Sequence, residues 1–551
     1  MSVFNKLFTL LFVVITVSQA SRVCYSAYYI EKSDSFQIKP VLDAFSTAYG
    51  CFNDTLSTTG FTTLQIESKF DRFNTALPVL RAIGYLEGYL THSRIKRFHA
   101  HLLKKTKAEM KYTGEGYPPQ LKNFFTTNMN YLEYWAQFEH DEYYNAVSMI
   151  KKQLYGVVEG MKAQGTEFTY FDLYFVNSYA DMIDIIPSIL LKEEEQHYDN
   201  RYWTMHSHCS AGIRLTDSDI FMWHTTWNSY EDMLPYHVAK SYLMGKFGYT
   251  ATGIYGQLNS CDDFWRLENG ITIFETTLNV FNDDLHKSIV PTSFLNFIRT
   301  LAAVHAFDTP ESIAQGITIR NSGTYNCQYF IVDYNGFKNG HLIDKSAFMV
   351  ETMPNFEIVQ DVTSMLNRDS SFSTDRKDSY KNTGFIGSYN MPKDRRLFVV
   401  SGYKDHIDNH VTPIQKEFWD YYGFRWNVFE TELPKAQTLD DIKNLMRRNN
   451  DKRDPGLSLA PRFDLRKPDS KYGKPMSFGA HDVKIATLNL DKPRDFHYIV
   501  SPPRNEGNDG PLLPAFVFGQ DSDIPDWSPK KWNFTWDYVS AEVDFTAPLD
   551  N

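Results

Sequence analysis

The residues best suited to chemistry lie near the middle of the 551-residue chain. They are Asn259-Ser260-Cys261-Asp262-Asp263-Phe264, followed by Gly270-Ile271-Thr272-Ile273-Phe274-Glu275-Thr276-Thr277. A thiol comes directly after a small hydroxyl residue and before two acids and an alternating stretch. A cysteine is a nucleophile only as thiolate or with a base beside it. Many cysteine enzymes recruit a distant histidine as that base. The alternative is the nucleophile's own α-amino group, whose ordinary pKa of about 7.7–8.0 lies near working pH. Using it requires a cut just before the nucleophile. At Ser260-Cys261 the thiol can attack the preceding carbonyl, and the small serine leaves room. The expectation is therefore internal cleavage between Ser260 and Cys261, which leaves Cys261 as an N-terminal nucleophile. A bare Ser-Cys pair is common, and the bland alternative is a buried core cysteine.

The elements that must position this stretch are read from periodicity. Residues 26–60 are mixed and strand-like. The stretch from Gly84 to Thr91 is helical, and its two glycines four apart allow close helix packing. After the breaker Pro118-Pro119, Leu121, Phe125, Met129, Leu132 and Trp135 recur at helical spacing, and the helical signal continues through Met161. Strands are expected at 168–174, then at 183–191 (interrupted by Pro187), 220–227, 270–281, 317–320, 329–334, 397–400 and 479–485. A helix is expected over 294–307. The run from Lys192 to Glu195 reads as a solvated edge, and residues 367–381 as an exposed loop. The tail after Pro502 reads as wrapping the surface. Helices together with many strands give an α+β class.

Composition narrows the function. Hydrophobic residues make up 42% and charged residues 22%, which is globular rather than disordered. Net charge is −11, which argues against nucleic acid as the main partner. Lys6, an apolar run from Leu7 to Val17 and the small-x-small triplet Ser18-Gln19-Ala20 form a secretory signal peptide over residues 1–20. No later stretch is apolar for long enough to serve as a transmembrane anchor. The sequons at Asn53 and Asn533 fit a glycoprotein of the secretory route, lysosomal or secreted. Cys24, Cys51, Cys209, Cys261 and Cys327 are odd in number, so at least one is free or pairs between chains. Cys24 and Cys51 could bridge. His206-Ser207-His208-Cys209 has the look of a metal motif, but no further ligand pair follows at a standard spacing, and it is read as a strand. No metal and no other cofactor is expected.

The stretches 84–91, His208-Cys209-Ser210-Ala211, His224-Thr225-Thr226-Trp227, Ser260-Cys261-Asp262-Asp263-Phe264, Glu275-Thr276-Thr277, Asn321-Ser322-Gly323-Thr324-Tyr325-Asn326, 460–465 and 478–484 occur in an order that resembles the phospholipase B-like, or lamina-ancestor, family. The resemblance implies an N-terminal-nucleophile hydrolase with a four-layer αββα sandwich and a helix-rich N-terminal portion. It implies that fragments 21–260 and 261–551 together form that one domain. It also implies removal of fatty acyl chains from glycerophospholipids. By the resemblance Cys261 is the nucleophile and its freed amine the base. Asn321 and the backbone around Ser322 are candidates for stabilising the oxyanion. Glu275 or Thr276 could orient the amine, and His224 and Trp227 could line the substrate pocket. The alternatives are an amidase acting on N-acylated lipids or peptides with the same nucleophile, and a non-catalytic lipid-binding glycoprotein. Oligomeric state is not legible.

Overall fold

The computed structural model describes residues 21–68, 76–192, 209–245, 247–367, 384–503, 525, 527–529 and 532–547. The expected signal peptide, His206 and His208, the acidic run 193–195, nearly all of the 367–381 loop and much of the tail after Pro502 lie outside the described residues.

The described strands, in chain order, are β1 (Ser21–Ile30), β2 (Ser35–Lys39), β3 (Ala48–Asp54), β4 (Thr62–Glu67), β5 (Ser210–Leu215), β6 (Ile220–Thr225), β7 (Trp227–Ser229), β8 (His237–Leu243), β9 (Tyr249–Ile254), β10 (Phe264–Leu267) and β11 (Ile271–Thr277). They continue with β12 (Cys327–Asp333), β13 (Phe337–Lys338), β14 (His341–Leu342), β15 (Ala347–Met353), β16 (Phe356–Asp361), β17 (Phe385–Ser388), β18 (Phe478–Ala480), β19 (Asp482–Ala486), β20 (Phe496–Val500) and β21 (Asp537–Val539). Eleven strands form one sheet in the order β16-β15-β12-β11-β10-β9-β8-β4-β3-β1-β2. Six form a second in the order β17-β5-β6-β19-β20-β21. β4 runs parallel to β8, which joins the first strands of the chain to the β8–β9 pair that precedes the Cys261 region. Cys24 and Cys51 face each other across β1 and β3 and form a disulfide.

Side-chain alternation assigns the faces. Ile213, Met222 and Tyr498 of the smaller sheet share a buried apolar cluster with Ala239, Phe264, Phe274 and Phe330 of the larger one, so the two sheets meet there. The opposite face of the larger sheet, with Val238, Ala251, Ile273 and Ile331, packs on helices through Leu86, Val157, Phe297 and Ile298. The opposite face of the smaller sheet, with Trp223, Val483 and Ile485, packs on helical Leu397, Phe429, Ile442 and Met446. β11 is consequently buried along its whole length.

The glycine pair behaves as expected. The 34-residue helix Ala76–Glu109 lies against Glu142–Ala163. A Cβ on Gly84 would stand 2.1 Å from the Gln153 carbonyl oxygen, and one on Gly88 2.0 Å from that of Val157. Gly156 and Gly160 reciprocate against Arg81 and Tyr85, so neither helix has room for a side chain at the crossing.

Four expected strands are helical instead. Residues 168–174 enter the helix Tyr170–Asn177, which starts at a capping box between Thr169 and Asp172. Residues 183–191 form the helix Met182–Lys192, which includes Pro187 and is buried nearly all round, so its apolar run carries no strand information. Ile317 and Thr318 end the helix Pro310–Thr318, and Arg320 has a left-handed φ of 53°. Residues 397–400 belong to the helix Arg395–Val400, whose first amides are capped by Asp394. In each case cap chemistry or all-round burial overrides β-branched composition.

Candidate functional site

Cys261 sits in the turn between β9 and β10. The Ser260 hydroxyl donates to the Thr252 carbonyl at 2.5 Å and accepts from the Phe264 amide at 3.0 Å, which ties the turn to β9. Gly253 on β9 faces the cysteine. A Cβ there would lie 3.7 Å from the Cys261 amide nitrogen and 3.9 Å from its Sγ. The glycine leaves the space beside both atoms free of a side chain. Cys261 itself is 3% exposed. Burial pushes its thiol well above the usual range, Asp262 and Asp263 push the same way, and Lys240 opposes them. In this uncut chain the thiol is therefore protonated at neutral pH.

Asp263 has a left-handed φ of 61°, and the two consecutive acids enter different groups of side chains. Asp262 Oδ1 accepts from the Thr226 hydroxyl at 2.5 Å and lies 3.1 Å from the Lys484 ammonium. Lys484 also donates to Asp482 at 2.9 and 3.1 Å and to Thr226 at 2.5 Å. The Tyr498 hydroxyl reaches Asp262 and Asp482 at 3.3 Å each and His237 Nδ1 at 2.9 Å. Burial alone would raise Asp262, but Lys484 and the nearby histidines hold it well below the ordinary carboxylate range. Asp482 is pushed up by burial and by Asp262, so the pair carries one firm negative charge against one ammonium.

Asp263 points toward β11 and β12. The Tyr325 hydroxyl meets its two oxygens at 2.9 and 2.8 Å. Cys209 Sγ lies 3.8 Å and His224 Nε2 4.0 Å from Asp263 Oδ2. Glu275 adjoins Asp263, and burial pushes Glu275 up to about 7. The Cys327 thiol donates to the Tyr325 carbonyl at 3.1 Å. A third arm is Lys240 on β8, buried between the Ile254 carbonyl at 3.3 Å and Glu87 at 3.6 Å. Glu87 also accepts from Tyr242 at 2.7 Å. Tyr179 is close enough to Cys261 for their charges to interact, and its hydroxyl donates to Asp232 at 3.1 Å.

The fold thus brings three residues singled out in the sequence, Cys261, His224 and Glu275, around one short turn. It engages the others elsewhere. The Thr276 hydroxyl meets that of Ser388 at 2.6 Å. Trp227 Nε1 donates to the Leu459 carbonyl at 3.1 Å. Asn321 Nδ2 donates to the Met353 carbonyl at 2.9 Å while its Oδ1 accepts from the Gly323 amide at 3.0 Å. The Ser322 and Thr324 hydroxyls pair at 2.6 Å. Asn533 is exposed, whereas Asn53 is half-buried with its Nδ2 donating to Thr63 at 2.7 Å. Asp482, Lys484 and Tyr325 lie inside stretches that carry the family resemblance without having been assigned roles. The signal for Lys240 was a lone lysine among the strand residues of His237–Leu243, and Tyr179 and Tyr498 had none.

This is an α+β protein built around an enclosed thiol and two buried acid groups. The phospholipase B family profile matches residues 48–539. The chain is 27% identical to Phospholipase-B 81 of Drysdalia coronoides over 94% of its own length and 92% of that protein. It is 29% identical to Phospholipase B-like protein B of Dictyostelium discoideum, covering 81% and 78%. It is 27% identical to Phospholipase B-like 1 of Homo sapiens, covering 94% and 91%. The chain belongs to the phospholipase B family. Among the described residues no helix is long and apolar enough to cross a membrane.

Proposed function

We propose that the protein is a hydrolase removing fatty acyl chains from glycerophospholipids through Cys261, after cleavage between Ser260 and Cys261. The observation that carries the reading is the turn itself. A cysteine follows a serine held by its own hydroxyl, with its amide nitrogen and sulfur both facing the bare backbone of Gly253. In the cut, Sγ adds to the Ser260 carbonyl carbon and the peptide nitrogen leaves with a proton, giving a thioester. Water then hydrolyses it to a Ser260 carboxylate and a Cys261 with free amine and thiol. In turnover the amine takes the thiol proton, Sγ attacks the acyl carbonyl, and the glycerol oxygen leaves protonated. Water hydrolyses the acyl-enzyme and releases the fatty acid.

The two facing sheets with helices on both outer faces support the αββα N-terminal-nucleophile arrangement, with 21–260 and 261–551 as halves of one domain. Lys240 supplies a cation within electrostatic reach of Cys261 and replaces Asn321 as our first candidate for steadying the oxyanion. His224 and Glu275 stand behind Asp263. The signal peptide and the exposed Asn533 sequon fit a secretory glycoprotein. N-terminal sequencing of the mature fragments should find one beginning at Cys261. Cys261→Ser should lose release of fatty acid from diacyl phosphatidylcholine vesicles. An intact mature chain, or a Cys261→Ser protein with undiminished release, refutes the reading. An amide substrate of equal chain length separates esterase from amidase.

A further inference from the structure

An exposed group of aromatic rings takes no part in the proposed hydrolysis, whose substrate is a bilayer lipid. We propose that Tyr134, Trp135 and Phe138, with Arg320 at their edge, form the surface by which the protein docks on a glycerophospholipid membrane. The inference deepens the hydrolase reading and rests on it for its purpose, but docking is measured without hydrolysis.

The rings come from one corner of the helical layer. Tyr134 and Trp135 close the helix Pro119–Trp135, Phe138 follows it, and Tyr144 lies in the first turn of the helix Glu142–Ala163. The Trp135 ring stands 5.2 Å from that of Tyr134, 5.3 Å from Phe138 and 4.8 Å from Tyr144, and Tyr134 stands 5.4 Å from Phe138. The rings thus form one continuous surface, in which Tyr134 is 55% and Phe138 43% exposed. Contiguous exposed apolar surface of this kind marks interaction sites. The turn that carries it is tied down. The Phe138 amide donates to the Trp135 carbonyl at 3.1 Å and the Asp141 amide to the Phe138 carbonyl at 3.1 Å. Asp141 then caps the next helix by accepting from the Tyr143 and Tyr144 amides at 2.9 and 3.2 Å. The rings are therefore held outward in the free protein, and burying them in a partner orders little further.

The charge at the edge selects the partner. The Arg320 guanidinium lies 3.4 Å from the centroid of the Trp135 ring and donates to the Tyr131 and Tyr144 hydroxyls at 2.8 and 3.1 Å. Among the described residues no carboxylate pairs with it, although the chain carries 67 acids against 56 bases. The acids that flank the patch are matched by lysines, Glu133 by Lys151 at 2.6 Å and Glu139 by Lys152 at 3.3 Å. A guanidinium carries five N–H donors, so two bonds to tyrosines leave others for the oxygens of a phosphodiester. Tyr and Trp, with an apolar body and a polar tip, settle at headgroup level in a membrane surface. The location fits as well. Tyr325, five residues after Arg320, places its hydroxyl on Asp263 at 2.9 and 2.8 Å. That length of chain spans at most about 18 Å, so the patch borders the region of the Cys261 turn.

The test uses the secreted full-length protein and vesicles of diether phosphatidylcholine, which present the headgroup but no ester to cut. Wild type should sediment with the vesicles. The double variant Tyr134→Ser, Phe138→Ser should bind at least about tenfold more weakly, because partition scales with the apolar area placed in lipid. Arg320→Gln should weaken binding too. Vesicles with brominated acyl chains should quench part of the wild-type tryptophan fluorescence, and Trp135→Phe should lose that part, a readout that survives if the double variant fails to fold. The double variant should also lose fatty acid release from diacyl vesicles while keeping wild-type turnover of a soluble short-chain ester. Absence of turnover on both substrates would sink the hydrolase reading and leave sedimentation to decide the docking surface. Wild-type protein that stays in the supernatant, a folded double variant that sediments as well as wild type, or quenching unchanged in Trp135→Phe overturns the proposal. Sedimentation velocity showing that the patch joins two copies of the chain, with no vesicle binding, overturns it as well.

Discussion

Replacing Lys484 by Met keeps most of the length of the side chain and removes the ammonium that contacts both Asp262 and Asp482. All three groups are essentially inaccessible to water, so nothing screens the two carboxyls left behind. Removing one partner of such a buried pair costs about 3–5 kcal/mol, because an uncompensated charge stays inside. For a chain of this size that is a fall on the order of 5 °C in the unfolding midpoint, with a matching drop in the urea midpoint. The pH dependence gives a sharper check. In the wild type Asp262 is held well below its ordinary value, so it contributes stability above an unfolded pKa of about 3.9 and loses it as pH falls through the folded value. Without Lys484, burial raises both carboxyls, which take up protons at mildly acidic pH. The deficit of Lys484→Met should therefore be largest near pH 7 and shrink toward about pH 4.5. Adding Asp482→Asn should recover part of it at pH 7. Urea midpoints of wild type, single and double variants at the two pH values measure this. A Lys484→Met midpoint equal to wild type at pH 7, or a deficit that widens in acid, would refute the charge-balance argument.

Gly88→Ala should cost about 1–3 kcal/mol or more, since its methyl would stand 2.0 Å from a backbone oxygen that only helix separation can move; a melting temperature equal to wild type would contradict the close crossing. His305 is buried and its pKa is pushed down to about 4 by burial, so between about pH 6.5 and 4 the unfolded chain takes a proton that the folded chain refuses. Stability falls with pH across that window by up to about 3 kcal/mol, and His305→Leu should flatten the slope, which parallel urea midpoints at pH 7 and 4.5 would reveal. Asn533→Gln should remove one glycan's mass in a deglycosylation gel shift while Asn53→Gln changes little, because Asn53 gives its amide to Thr63; the reverse pattern would count against the exposure argument.

How much of this was legible before the fold was known depends on how local each signal is. The glycines at 84 and 88 and the Leu121, Phe125 and Leu132 stripe are short-range patterns, and they read correctly. The four missed helices are also short-range, but their signal lay in caps such as Thr169 and Asp394 rather than in composition. Cys261 could be singled out because its chemistry is that of one residue and its neighbours. Its surroundings could not, because they arrive by register. Tyr498 reaches Asp262 from 236 residues away. Lys484 reaches it because β19 pairs with β6 in a register that sets Lys484 opposite His224. One residue of slip would turn Lys484 to the helix-covered face where Val483 and Ile485 now pack, and would bring an apolar side chain against Asp262. The buried charge is therefore tolerable only in the correct register, while the apolar cluster on the other face of β19 enforces that register. The polar centre and the core that encloses it depend on the same alignment of strands.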